Sequence, residues 1–407
     1  MGKINSQTMK ENNVRLLLNT VRKSGPISRS ALARQLGLTS PAVTNIVSAL
    51  LQDRLLIETG YTDSRLGRKP VLLDINPGVR HLLGMVLTTE AATVILTDFQ
   101  AKILYRAQRP ISPLSGKETI LATLIACARE CIQQTGIGPG QILALGIAAP
   151  GPMDTRRGLL VNPPNFQDWH NVPICAIMEE ALGIPAILDK ETNAAALAEY
   201  YFGTPEEFKT MFYILLLQNS IGGSMMLNGK VVHGFEDGAG DIGHMQVDLN
   251  GPRCSCGRYG CLECIACGDA LTTQARSRIK SMNNVSLQIP CTAESLTLED
   301  IFRFGNQGVP LFEEIVNHAA RMIAAAIGNV ISIISPSLVV VGGTLPAISP
   351  TLVDRIRTYI QSRQYPDCAK RIRIEHSTLG ESGCALGAVM LALDAYQTTL
   401  CSSSEDA

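Results

Sequence analysis

His244-Met-Gln-Val-Asp-Leu-Asn-Gly-Pro-Arg-Cys254-Ser-Cys256-Gly-Arg-Tyr-Gly-Cys261-Leu-Glu263 is the most informative stretch of this 407-residue chain. It sets one imidazole and three thiols within eighteen residues, separated by turns built on Gly251, Pro252, Gly257 and Gly260. Zinc takes about four N/S ligands in a tetrahedron, and one His with three Cys is among its usual structural sets. The glycines let the backbone fold tightly enough to bring such close neighbours onto one ion. Reduced core cysteines are the plainer reading, but spacing and turn residues together favour one structural zinc on His244, Cys254, Cys256 and Cys261. Cys261, Cys264 and Cys267 also read as Cys-x₂-Cys-x₂-Cys. An iron–sulfur site would need a compatible fourth thiol, commonly followed by proline, and nothing else in the sequence points to electron transfer. Cys264 and Cys267 are expected to be small apolar residues of a helix after the loop.

The length suggests two or three domains, and an apolar content of 46% is enough for sizeable cores. No run approaches the ~20 apolar residues of a membrane span. The opening Met-Gly-Lys-Ile-Asn-Ser-Gln has no apolar signal region. Twelve cysteines in such a chain favour metal binding and reduced thiols over disulfides. The expectation is a cytoplasmic protein with no membrane partner.

Charge is unevenly spread. Residues 1–80 hold 12 Lys/Arg against 5 Asp/Glu, while the other 327 hold 23 against 31. A basic module on an acidic body suggests that only the module meets a polyanion. Apolar residues at 14, 17, 18 and 21 predict an amphipathic helix over 12–23. Ser28 is positioned to cap a helix from Arg29 to Leu36 closed by Gly37, and Thr39 or Ser40 to cap another running to about Asp53. β-type runs at 55–60 and 70–75 flank Asp63-Ser-Arg-Leu-Gly-Arg-Lys69, which reads as a hairpin with a basic tip. The whole is the pattern of a winged helix-turn-helix. Its third helix would enter the major groove of double-stranded DNA with Ser40, Ala42, Thr44 and Asn45 leading. Arg65, Arg68 and Lys69 would reach phosphates or a narrow minor groove. A three-helix protein-interaction module is the competing reading.

From residue 82 the pattern alternates strand and helix. β-type runs at 82–87, 92–97 and 102–106 precede a helix over 120–135 and a strand at 142–148. A second round opens at 212–217 with a hairpin partner at 224–232, then a long apolar helix near 311–334, a strand at 338–343 and a helix at 350–363. Two such rounds argue for an α/β body of two lobes with ligands between them.

These residues resemble the ROK family (repressors, open reading frames and sugar kinases), on its repressor side. The loop Cys254-x-Cys256-Gly-x-x-Gly-Cys261-x-Glu263 after Gly243-His244 is the family's most distinctive motif. Gly146-Ile-Ala-Ala-Pro150-Gly-Pro-Met-Asp154 is similar to its sugar-lobe signature, Asn193-Ala-Ala-Ala-Leu-Ala-Glu199 to the helix after its catalytic segment, and Val341-Gly342-Gly343 to its adenosine-side glycines. The resemblance implies a winged helix-turn-helix at 1–80 before a two-lobed actin-like, ribonuclease H-like sugar-kinase fold. The first lobe would be 81–190 with 380–400, and the second 191–379, carrying the zinc loop, sugar cleft and oligomerisation surface. It also implies a homodimer or homotetramer.

Departures from the family pattern bear on function. Where its kinases resemble Asp-x-Gly-x-Thr, this chain has Val86-Leu-Thr-Thr-Glu90, losing the metal-binding carboxylate and the glycine that lets phosphate approach. The second phosphate loop, Gln218-Asn-Ser-Ile-Gly-Gly-Ser224, lacks three of the family's glycines. No catalytic residue is therefore expected. The segment Asp189-Lys-Glu191-Thr-Asn193 replaces a Glu-Asn-Asp-x-Asn pattern, moving the carboxylate by one methylene, which matters for a positioned base and less for a hydrogen bond. Lys190 is either a solvated surface lysine or, pointing inward, a contact for an anionic ligand such as a sugar phosphate. By the resemblance, Asn165, Lys190, Glu191, Asp241, His244 and Glu263 would contact a sugar or sugar-phosphate effector. Asp154 and Trp169 are weaker candidates, and Trp169, the only tryptophan, reads as core or as sugar platform. The expected function is a sugar-responsive repressor. An active kinase, or a regulator whose body docks a protein, are the alternatives.

Overall fold

A computed structural model of the chain describes residues 6–61, 70–203, 208–281, 291–363 and 371–402. It comprises two compact units, Met1–Pro205 with Ser382–Ala407, and Glu206–Glu381. The first opens with α1 (Ser6–Ser24), β1 (Ile27–Ser28), α2 (Arg29–Leu36), α3 (Ser40–Gln52), β2 (Leu56–Tyr61) and β3 (Val71–Ile75). Local chemistry sets these bounds. Ser28 Oγ accepts the Ala31 N–H and Thr39 Oγ1 that of Ala42, each satisfying an amide orphaned at a helix start. Gly37 ends α2 at φ 64°, a left-handed conformation that penalises a Cβ. Leu17, Leu18, Val21, Leu32, Val43 and Val47 are fully buried, so the stripes legible in the sequence are the faces these helices bury. The strands form an antiparallel sheet in the order β1-β3-β2.

The first unit continues through β4 (His81–Leu87), β5 (Ala91–Asp98), β6 (Ile103–Pro110), α4 (Lys117–Thr135), β7 (Ile142–Ala149), β8 (Met153–Asp154), β9 (Leu159–Leu160), α5 (Ile174–Leu182), β10 (Ala186–Lys190) and α6 (Glu191–Ala198). One π-helical turn, Glu199–Gly203, ends that run. Its sheet is ordered β10-β7-β4-β5-β6, with antiparallel pairing of β4 to β5 and β5 to β6, and parallel pairing of β4 to β7 and β7 to β10. Parallel neighbours need crossover connections, and α4 and α5 supply them.

The second unit holds β11 (Thr210–Leu216), β12 (Ile221–Leu227), β13 (Lys230–Val231), α7 (Glu263–Ala266), α8 (Gly268–Ser281), α9 (Leu298–Asn306), α10 (Pro310–Ile334), β14 (Leu338–Gly342), α11 (Thr344–Ile348), α12 (Thr351–Arg363) and β15 (Arg373–His376). Its sheet, β13-β12-β11-β14-β15, repeats the scheme of the first, a central strand with an antiparallel hairpin on one side and parallel strands on the other. The chain then returns to the first unit as α13 (Gly383–Ser402).

Three expectations need amendment. The division between units falls after α6, not before it at 190/191, because the buried Ala194–Ala198 face packs on α13. The hairpin partner runs over Ile221–Leu227, not 224–232, because Asn228 (φ 50°) and Gly229 (φ 73°) form a tight turn. Finally, α10 is long and apolar enough to cross a membrane by length and composition, but thirteen of its residues, Leu311 to Ile331, are buried within the second unit's core.

Close packing of α13 explains two strand glycines and one of its own. A Cβ at Gly84 would lie 2.5 Å from the Ala385 carbonyl oxygen, at Gly146 1.8 Å from that of Ala388, and at Gly387 1.7 Å from that of Ala194 in α6. Gly387→Ala forces α6 and α13 apart and is expected to cost about 1–3 kcal/mol, measured as a lower urea midpoint. A midpoint equal to wild type would show that the helices can separate freely.

Candidate functional site

The loop after β13 brings the four expected metal ligands together. Its segments are held by main-chain bonds: Val247 N–H to Gly260 O (2.9 Å), Cys254 N–H to Arg258 O (2.7 Å) and Gly260 N–H to Pro252 O (2.8 Å). Gly260 adopts φ 64°, and a Cβ there would sit 1.5 Å from the Asp248 carbonyl oxygen, so the turn admits only glycine. One ligand atom from each of His244, Cys254, Cys256 and Cys261 lies within 4.8 Å of every other. Cys254 Sγ is 3.6 Å from His244 Nδ1, and Cys256 Sγ is 3.6 Å from Cys261 Sγ. Cys254 and Cys261 are buried and Cys256 is exposed. The main-chain and guanidinium donors of Arg258 hold the Cys256 thiol well below its usual range, whereas burial pushes Cys261 up. This set can hold a metal ion. Cys264 lies in α7, while the buried Cys267 lies just after it, at the junction with α8.

The loop also fixes Glu263, whose Oε2 accepts the Ile221 N–H at 3.2 Å. Asp241 is exposed just before the 3-10 turn Ile242–His244, and its carbonyl accepts the His244 N–H. These three effector candidates belong to the second unit. Asn165, Lys190 and Glu191 belong to the first. Asn165 is exposed on the loop before α5. Asp189 Oδ1 accepts from both the Lys190 N–H (2.7 Å) and Asn193 Nδ2 (2.7 Å), which pins the β10–α6 junction. Lys190 is only 7% exposed, and its Cε lies 3.5 Å from where a Gly151 Cβ would stand, so the solvated-surface reading fails. Glu191 Oε2 is buried with no hydrogen-bond partner. Burial pushes this carboxyl up to about 7, against a smaller downward pull from Lys190. Trp169 is fully buried beside Phe166, which makes it core. Asp154 accepts the Arg157 N–H within a turn.

The two segments that depart from the family's kinase pattern carry bonds of the chain's own. In the turn after β4, Thr88 Oγ1 accepts the N–H groups of Glu90 (3.3 Å) and Ala91 (3.0 Å). In the second, Leu217 N–H bonds Ser220 O, Ile221 N–H bonds Glu263, and Gly223 N–H bonds Gly240 O. These amides are engaged within the chain.

On α3, Ser40, Thr44 and Asn45 are exposed while Ala42 is half-buried. Thr44 Oγ1 donates to the Ser40 carbonyl (2.8 Å), leaving its lone pairs outward. Arg29 of α2 pairs with Glu58 of β2 at 3.1 Å, a contact the sequence reading missed. Arg65, Arg68 and Lys69 lie outside the described residues.

The ROK family pattern matches residues 83–395, most of the chain. The chain belongs to the ROK family. Among ROK relatives, the xylose repressor of Caldicellulosiruptor bescii is 25% identical over 389 residues, covering 96% of this chain and 97% of that protein. A crystal structure described as a ROK family transcriptional regulator, homologous to the Escherichia coli MLC protein, superposes with a TM-score of 0.79 at 26% identity and covers 96% of this chain and 98% of its own. A ROK hexokinase from Thermus thermophilus superposes at 0.61 with 28% identity, covering 98% of its own length but 77% of this chain.

Proposed function

We propose that this ROK protein is a DNA-binding repressor of carbohydrate genes whose operator affinity responds to a sugar or sugar phosphate held by a catalytically silent, kinase-like body. The observation that carries the reading is coverage: the likeness to repressors runs end to end, whereas the hexokinase matches 77% of this chain. The N-terminal helices and hairpin then act as a winged helix-turn-helix, with Ser40, Ala42, Thr44 and Asn45 toward base edges and Arg65, Arg68 and Lys69 toward phosphates. The effector candidates are Asn165, Lys190 and Glu191 on the first unit and Asp241, His244 and Glu263 on the second. Glu191, protonated up to about pH 7, would donate a hydrogen bond to a ligand oxygen, and the buried Lys190 suits a ligand carrying phosphate. A homodimer or homotetramer would present paired modules to an inverted-repeat operator.

Zinc fits the four-residue cluster. With Zn–S near 2.3 Å and Zn–N near 2.0 Å, a tetrahedron sets thiolates about 3.8 Å apart and a thiolate about 3.5 Å from an imidazole nitrogen. The corresponding distances are 3.6 Å and 3.6 Å. A bound ion would stiffen the loop that carries Glu263.

Two measurements test the proposal. On DNA from beside its own gene, Thr44→Ala and Asn45→Ala should each cost about 1–3 kcal/mol of discrimination between operator and random sequence. Arg68→Ala and Lys69→Ala should instead weaken binding to all sequences and reduce the log–log salt slope by about one per lost phosphate contact. Identical curves for operator and random DNA at several salt concentrations would sink the repressor reading. In coupled kinase assays over a broad sugar panel, the wild-type chain and Val86→Asp should both stay at background, because the second phosphate loop is closed as well. Turnover of about 1 s⁻¹ on any sugar would overturn this.

A further inference from the structure

The helix α6 begins at Glu191 and gives way after Ala198 to the π-helical turn Glu199–Gly203. Such turns are rare and concentrate at functional sites. Here the turn meets α1, the first helix of the N-terminal module. The Tyr201 hydroxyl accepts from Asn19 Nδ2 of α1 (2.9 Å) and donates to Asp394 Oδ1 of α13 (2.9 Å). Tyr201 is 5% exposed and Asn19 8%. Beside them the Lys23 ammonium stands 3.6 Å from the centre of the Tyr200 ring, and Arg22 donates to the Phe99 carbonyl (2.9 Å). The Arg22 guanidinium is held down to about 10 by burial, despite the opposing pull of Tyr201, Asp394 and Asp98.

This contact is polar, buried and incompletely satisfied. Asn19 Oδ1 and Arg22 Nε and Nη1 are buried with no hydrogen-bond partner. Each such atom costs about 1–3 kcal/mol, so the arrangement is held by its surroundings and can be exchanged for another pairing. The connection back to Glu191 is stiff. The eight residues of α6 span about 12 Å, and Thr192–Ala198 are all buried. Gly387 seats α13 directly on the Ala194 carbonyl, which couples the two helices, and both reach Tyr201, α6 through the π turn and α13 through Asp394.

We propose that Tyr201 is the coupling residue of this protein: a change at the Glu191 end of α6 repositions the π turn, and Tyr201 passes that displacement to α1 through Asn19. The role assigned to Glu191 rests on the effector site proposed above. The mechanical link from Glu191 to α1 does not depend on which ligand binds.

The test reads amide hydrogen exchange in α1 of the full chain. Glu191→Gln, made alone, should change protection over Leu17–Val21 by about 5-fold or more, the low end of ordinary coupling between sites. In a Tyr201→Phe background the same substitution should change it less than about 2-fold. Only the difference between backgrounds counts, so a uniform loss of stability from Tyr201→Phe leaves the result readable. Asn19→Ser cuts the bond from the other side and should give the same loss of coupling if the phenylalanine variant folds poorly. An equal effect of Glu191→Gln in all backgrounds, or none in wild type, overturns the proposal. A parallel series with saturating D-xylose separates the two readings. Protection that reaches α1 only when Tyr201 is present supports coupling, and protection confined to residues around Glu191 overturns it. No protection anywhere counts against xylose as effector, while the substitution series still decides the coupling.

Discussion

Cys261→Ser should leave the protein without bound metal and lower its stability by on the order of 4 kcal/mol or more, the range in which loss of a metal site belongs. Cys261 is fully buried, and its thiol donates to the His244 carbonyl at 3.5 Å. Without an ion, three thiols and an imidazole are left crowded within 4.8 Å, and only the main-chain bonds remain to hold the turns around Gly257 and Gly260. Elemental analysis of protein purified without chelator should find about one zinc per wild-type chain and none in the variant, with thermal unfolding run on both. Cys267→Ala should keep its metal, since Cys267 lies outside the four. Zinc-free wild-type protein, or iron with visible absorption, would refute the assignment.

The second large effect is a pH dependence carried by Glu191. Its carboxyl titrates near 4.5 when exposed and about 7 in the fold, because burial disfavours the charged form. Below pH 4.5 both states hold the proton and the group is neutral to stability. Between 4.5 and 7 the unfolded chain ionises while the folded chain stays protonated, so stability falls as pH rises, and the full loss persists above 7. At 1.36 kcal/mol per unit, the gap between 4.5 and about 7 sets an upper bound of about 3 to 4 kcal/mol. Glu191→Gln should therefore gain on wild type as pH rises through this window, measured as the difference in urea midpoints from pH 4 to 8. A constant difference would mean that Glu191 is solvated and ordinary.

What could be read in the sequence follows how local each cause is. The cluster of His244, Cys254, Cys256 and Cys261 was legible because all four fall on one short loop whose glycines announce its turns. The caps at Ser28 and Thr39 were legible because a cap acts within three residues. The turn at Asn228-Gly229 was also readable as a hairpin signal, and the long β-type run through Val232 obscured it. Contacts that join distant parts of the chain left no such trace. Nothing around Asn19 announces Tyr201, and nothing in Asp189-Lys-Glu191 tells whether Lys190 is solvated. Its burial depends on packing against the Gly151 loop. The unit boundary was misplaced for the same reason, since α6 owes its allegiance to a helix almost two hundred residues later.

That late helix has a consequence for the order in which the protein is built on the ribosome. Synthesis delivers the N-terminal module first, and domains commonly fold as they emerge, at about 5–20 residues per second. Yet β4 and β7 each carry a glycine shaped to receive α13, and Asp394 completes the cluster at Tyr201. A nascent chain stalled before Gly383 therefore exposes the bare sheet face on which the helix should lie. The helices α1 to α3 are made long before α13, so their seat against the Tyr201 cluster is completed only when α13 arrives.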